Sequence, residues 1–359
     1  MQIDENKYEE PEENPDEKSD YPIDSFLIRQ ESRSVFEIVR RIKSGQYLTI
    51  PDYQRDFVWD QKKQSKLIES TLLRIPLPVF YLAEKIDGTT AIVDGLQRLT
   101  TFEQYLNNEF KLIGLEHRPE LNGKFFKDLS PIFQNRIEDT NLIIYLIDSK
   151  VPPKAQLDIF ERVNSGEPLT RQQMRNCIYV GSATQWLREQ VKTEVFQKAT
   201  GQSINPKTMR DREIVNRFAG FYIFGIEKYK GDMDSFLAET LDHLNTLFEN
   251  PKEQEKLSSI FKISMELNYK VFGQFTFRKR IEGENRKNPI NVALFDVFSI
   301  LFTKIQKDKI SGREESLRKI FYQLMENQEF VNTITISTNS TKNITTRFKI
   351  VEEAYKEYL

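Results

Sequence analysis

The chain has 359 residues, 38% of them hydrophobic and 12% aromatic, with 26 phenylalanines; this supplies ample core for one large domain or two ordinary ones. A single cysteine, Cys177, excludes an internal disulfide and a cysteine-based zinc site. No apolar run is long enough to span a membrane and the N-terminus is acidic, unlike a signal peptide, so a cytoplasmic location is expected.

The net charge of −2 is unevenly placed. Residues 1–24 carry ten acids against Lys7 and Lys18, a net −8 that leaves +6 for the remainder. With Pro11, Pro15 and Pro22 and few apolar groups, this stretch cannot bury enough surface to fold, and it reads as a disordered acidic tail. A sharper role for it is competition with nucleic acid for a basic groove.

After the tail, Val35–Ile42 has the spacing of a short amphipathic helix that stops near Gly45. Tyr47–Ile50 reads as a strand entering the loop Pro51-Asp52-Tyr53-Gln54-Arg55. Asp60 is placed to cap a helix whose inner face is Leu67, Ile68, Thr71, Leu72 and Ile75, with Pro76 and Pro78 ending it. Val79–Lys85 and Thr90–Val93 form a hairpin around Asp87-Gly88. A helix from Leu96 to about Asn107, a strand near Phe110–Leu115 and a strand at Asn141–Ile147 follow. Pro153 opens a helix carrying Leu157, Phe160 and Val163. Beyond about residue 180 the pattern is almost wholly helical, as in Ile214–Phe224, Phe236–Phe248 and Val292–Ile305. The expected class is α+β: a sheet domain over residues 25–180 and a helical domain over 181–359.

Three segments carry chemistry. In Thr90–Phe102, TAIVDGLQRLTTF, a strand meets a helix through Asp94-Gly95. Backbone N–H groups at such a helix start favour phosphate, and Arg98 adds a planar cationic fork one turn in. The plainer alternative is that Arg98 only pairs Asp94. In the second segment, Tyr53, Gln54 and Arg55 leave a strand together, an aromatic ring, an amide and a guanidinium suited to stacking, base-edge bonding and phosphate pairing. Here the alternative is packing by Tyr53 and Phe57, with Arg55 bridged to Asp52 or Asp56. In the third, Asn164-Ser165-Gly166 follows a helix and precedes Thr170, which with Gln173 fits a capping box. Asn164 and Gly166 tolerate a turn with exposed N–H groups, and Arg162 lies one turn back; an ordinary helix–turn–helix connection is the alternative.

Together, in this order, the three segments resemble the domain that forms the S half of GmrSD-type, modification-dependent restriction systems, related to the ParB and sulfiredoxin nucleotide-binding fold. RDREIVNRF (residues 210–218) and the ending TISTNSTKNITTRFKI also look like that family. The resemblance implies a ParB/sulfiredoxin-like N-terminal domain that binds and hydrolyses a nucleoside triphosphate with Mg²⁺. It implies Asp94, Gln97 and Arg98 as catalytic groups, Asp94 as the metal ligand, and Tyr53, Gln54, Arg55, Gly95, Arg162, Asn164 and Gly166 as nucleotide contacts. The family corner reads Asp-Gly-Gln-Gln-Arg, and Leu96 here replaces the first glutamine, removing a hydrogen-bonding group. The family role is anti-phage defence that senses foreign or modified DNA, with cleavage by a nuclease. His117 and His243 lack an HNH-like context, so cleavage is expected from a partner protein.

No P-loop sequence occurs, and sulfiredoxin chemistry would need a cysteine at the corner. Arg278, Lys279 and Arg280, next to Phe275 and Phe277, form a basic run with the composition of a DNA contact; a solvated face, with Glu282 and Glu284 nearby, is the alternative. Two other readings stand beside the nucleotide-hydrolysing one: a non-catalytic DNA-binding or regulatory module, and a nuclease without an HNH motif.

Overall fold

The structure, a computed structural model, describes residues 8–9, 28–48, 59–85, 88–163 and 170–359. The chain is α+β and divides into two compact units, residues 20–180 and residues 181–359 joined by residues 1–19.

In the first unit, five strands lie in the order β2 (Ile28–Ser34), β6 (Asn141–Ile147), β4 (Phe80–Glu84), β5 (Thr90–Asp94), β3 (Tyr47–Leu48). β2 runs antiparallel to β6, β6 parallel to β4, β4 antiparallel to β5, and β5 parallel to β3. Alternation along the strands sorts side chains to two faces. Phe80, Leu82, Ile92, Leu142, Ile144 and Leu146 join a core with α1 (Val35–Lys43), α2 (Gln61–Leu72) and α3 (Leu96–Leu106). Ala83, Ala91 and Val93 are buried on the other face, where α5 (Pro153–Val163) and α6 (Arg171–Ile178) pack on β5. The remaining helix of this unit, α4 (Pro131–Glu138), packs on α2.

The local signals act as anticipated at several points. Asp60 accepts the Lys63 N–H at 2.8 Å, fixing the start of α2. Lys85 N–H bonds Thr89 O at 2.8 Å, closing the β4–β5 hairpin. Thr170 and Gln173 make the reciprocal capping box of α6. Two expectations fail. Ile75 is 51% exposed, because α2 has already ended at Leu72 and Arg74 takes a left-handed φ of 58°. Phe110–Leu115 is not a strand: Gly114 turns at φ 61°, and Leu112 pairs locally with Gly123 and Lys124 while Ile113 N–H goes to Ser65 Oγ.

The second unit is helical: α7 (Ser182–Lys192), α8 (Glu194–Thr200), α9 (Arg210–Phe224), α10 (Met233–Leu247), α11 (Pro251–Phe272), α12 (Val292–Lys304), α13 (Lys307–Ile310), α14 (Glu314–Glu326), α15 (Gln328–Thr333) and α16 (Thr341–Ala354). Its core is built from rings in edge and tilted contact, such as Phe218–Phe261 at 4.9 Å and Phe221–Phe236 at 5.1 Å. Among them lies a buried ion cluster. Arg217 donates through Nε and Nη2 to the two carboxylate oxygens of Asp296, at 2.8 and 2.5 Å, and Arg347 Nη2 reaches the same carboxylate at 3.0 Å. None of the three is more than 1% exposed. Two residues of the acidic N-terminal segment also belong to this unit, since Tyr8–Glu9 (β1) pairs in parallel with Ile290–Asn291 (β7). The rest of residues 1–24 lies outside the described residues. No described helix is long and apolar enough to cross a membrane.

Candidate functional site

The corner between β5 and α3 is dictated by one residue. Gly95 sits at φ 99°, a left-handed value that L side chains rarely adopt, and a Cβ there would run into the ring of Phe80. The strand therefore turns into the helix in a single step. Leu99 N–H closes the first turn on Gly95 O at 2.8 Å, and no side chain caps the N-terminus of α3. Amide N–H groups are thus left at the positive end of an 11-residue helix.

Arg98 is held by the corner it serves. Its Nη2 donates to Asp94 Oδ2 at 2.8 Å and to the Val79 carbonyl at 3.1 Å, and its Nη1 donates to the Pro78 carbonyl. The guanidinium lies 4.2 Å from the centre of the buried Phe80 ring. Burial lowers its pKa, against the opposing pull of Asp94. The arginine straps the entry to β4 onto the end of β5, so Arg98 has a structural task of its own. Of the five N–H groups of a guanidinium, Nε–H and one on Nη1 have no partner among the described residues.

The other groups at the corner divide by exposure. Asp94 is about one-third exposed, and its second carboxylate oxygen has no partner among the described residues. Gln97 carries a buried Oε1 with no hydrogen-bond partner among the described residues. Leu96 is 9% exposed and belongs to the hydrophobic core, so the residue that departs from the family corner is a packing residue here. Among the described residues no three of His, Cys, Asp and Glu form a metal cage.

Asp94, Gly95, Gln97 and Arg98 are thus brought together within one turn of backbone. Tyr53, Gln54, Arg55, Asn164 and Gly166 lie outside the described residues. Arg162 is exposed in the last turn of α5 and makes no bond to the corner.

The basic run at residues 278–280 needs correction. Arg278 is 1% exposed; its Nη2 donates to Thr200 O at 2.9 Å and Ser203 Oγ at 2.6 Å, and its Nη1 to Asn288 O. It satisfies the carboxyl end of α8, burial pulls its pKa down to about 10, and it presents nothing to a nucleic acid. Arg280 is half-buried, donates through Nε to Glu284 O at 2.7 Å and stacks 3.7 Å over Phe275. Lys279 is half-buried too. Arg278 is therefore internal bracing rather than a DNA contact.

One feature was passed over in the sequence. α6 is buried with more polar than apolar side chains: Gln172, Gln173, Arg175 and Asn176 are buried beside Met174 and Ile178, with Arg175 Nε donating to Gln172 Oε1 at 3.0 Å and Gln172 Nε2 to Asn176 Oδ1 at 2.8 Å. Lys85 Nζ bonds the Val180 carbonyl at 2.8 Å, holding the chain just past α6 beside the far end of β4. The signal for this buried polar helix was available as a run, RQQMRN, too polar for an ordinary core helix.

Residues 35–180 match the sequence model of the family described as GmrSD restriction endonuclease, N-terminal domain. No curated protein matches the chain.

Proposed function

We propose, from the match of residues 35–180 to the GmrSD N-terminal domain, that this unit binds a nucleoside triphosphate at the β5–α3 corner. It would do so as the nucleotide-dependent component of a restriction-type defence system that senses foreign or modified DNA, with cleavage by a partner nuclease. The observation that carries the reading is the uncapped start of α3 behind a left-handed Gly95, with side-chain groups around it that have no partner among the described residues. The first amides of α3 and the two spare donors of Arg98 would bind phosphate oxygens. Gly95 lets the backbone come close. Gln97 Oε1 would accept from a ligand donor or a bound water. Asp94 has a spare oxygen for Mg²⁺, which would take its remaining ligands from phosphates and water, as that ion commonly does. The ion would supply charge neutralisation at the phosphates; the chain's own part is to orient them and to keep Asp94 fixed beside Arg98.

A second reading, a binding module without turnover, is favoured by Leu96 being core and by Arg98 being largely committed to the Pro78 and Val79 carbonyls. The deciding experiment is hydrolysis of each of the four nucleoside triphosphates with Mg²⁺, with and without DNA, for wild type and Asp94→Asn. The expected result is turnover in wild type that Asp94→Asn abolishes. A nucleotide-dependent rise in melting temperature without turnover would select the second reading. Neither turnover nor a shift would overturn both.

A further inference from the structure

The geometry points to a nucleobase platform made by Tyr81 and Tyr145 on the β4–β6 part of the sheet face that carries α5 and α6 over β5, next to the corner. This inference rests on the nucleotide reading above and names where the base lies. Tyr81 stands on β4 and Tyr145 on β6, the inner strands of the sheet, where side chains are ordinarily covered. Both are nonetheless only half-buried. They are direct neighbours in register, and their rings stack with centroids 5.4 Å apart and planes 24° apart. Neither phenol hydroxyl has a hydrogen-bond partner among the described residues. The same cross-strand row continues to Asp94 on one side, through the register shift after Tyr81, and to exposed Gln30 on the other. Ile143, two residues before Tyr145 and on the same face, is 42% exposed.

The occupant follows from position and chemistry. Adjacent strands are about 4.8 Å apart, so Tyr81 lies one spacing and Tyr145 about two spacings from the residue that opens the phosphate corner. A nucleotide anchored by its phosphates at α3 and laid across the strands reaches this row with its ribose and base. Two tyrosines present π-surface for stacking that tolerates any base, and their free hydroxyls, with the Gln30 amide beyond, can bond a base edge. A purely apolar occupant would leave those hydroxyls and the Asp94 oxygen unused. An anion alone would leave the rings unused.

The test is calorimetric binding of each of the four nucleoside triphosphates and of inorganic tripolyphosphate to the full chain, comparing wild type, Tyr145→Phe, Tyr145→Leu and Tyr81→Leu. Leucine keeps apolar bulk and the fold while removing the ring, and thermal melts check that each variant is folded. The expected result is that nucleotides bind wild type more tightly than tripolyphosphate does. Tyr145→Leu and Tyr81→Leu should lose about tenfold in nucleotide affinity, with tripolyphosphate unchanged and Tyr145→Phe close to wild type. If tripolyphosphate binds as tightly as the nucleotides and the leucine variants change nothing, the platform is wrong while the phosphate corner stands. If neither ligand binds wild type, the nucleotide reading and the platform fall together.

Discussion

The two units each pair arginine with aspartate, and they use the pairing in opposite ways. In the helical unit, Asp296 is fully buried and both of its oxygens are taken by Arg217 and Arg347. Burial pulls the Arg347 pKa down to about 10, with Asp296 pulling the other way. In the sheet unit, Asp94 gives one oxygen to Arg98, keeps the other, and stays about one-third exposed. The first arrangement is closed: removing one member strands charge in a low-dielectric interior. The second is open, with enough bonding to fix the arginine and enough left over to meet a ligand. The same residue pair is a fastener when saturated and a candidate site when it is not.

That contrast can be broken experimentally. Asp296→Ala removes the carboxylate that two buried guanidiniums share and should cost about 3–5 kcal/mol in urea unfolding. A loss below about 1 kcal/mol would mean that the cluster is not the closed lock described. Asp211, in the first turn of α9, tests a buried carboxylate with no arginine fork: burial raises its pKa to about 6, against the neighbouring Arg212 charge and backbone N–H. A raised acid makes the folded state prefer the proton, so its contribution to stability is complete below about pH 4 and is lost as pH climbs through 6. Asp211→Asn should therefore match wild type at pH 4 and exceed it by about 3 kcal/mol at pH 7. A stability difference that does not change with pH would reject that assignment. Arg98→Ala loses its bonds to the Pro78 and Val79 carbonyls and its contact with Phe80, and should cost about 1–2 kcal/mol. If it costs as much as Asp296→Ala, the corner is as closed as the helical cluster and has no capacity to spare.

What was legible in the sequence was local. The corner at Asp94-Gly95, the Asp60 cap, the Thr170–Gln173 box and the strand Asn141–Ile147 each depend on residues a few positions apart, and each is found in place. β2 was not legible: IRQESRS is polar and largely exposed, so it carries no apolar alternation, and it is a strand because it pairs along its length with β6. Arg278 looked like surface charge because its partners, Thr200 and Ser203, lie far away in the chain. Tyr81 and Tyr145 become neighbours only through the parallel register of β4 and β6, which no window of sequence contains. Site residues set by a turn can be read directly; those set by a register cannot.

The short pairing of Tyr8–Glu9 with Ile290–Asn291 has a consequence for how the chain is assembled. Both ends of the polypeptide belong to the helical unit, and the sheet unit is spliced between them. It is a guest held by two covalent passages, one on each side of residues 20–180. On the ribosome, the host's first strand would emerge long before Ile290, its partner, so that the helical unit can be completed only after the guest has been synthesised in full.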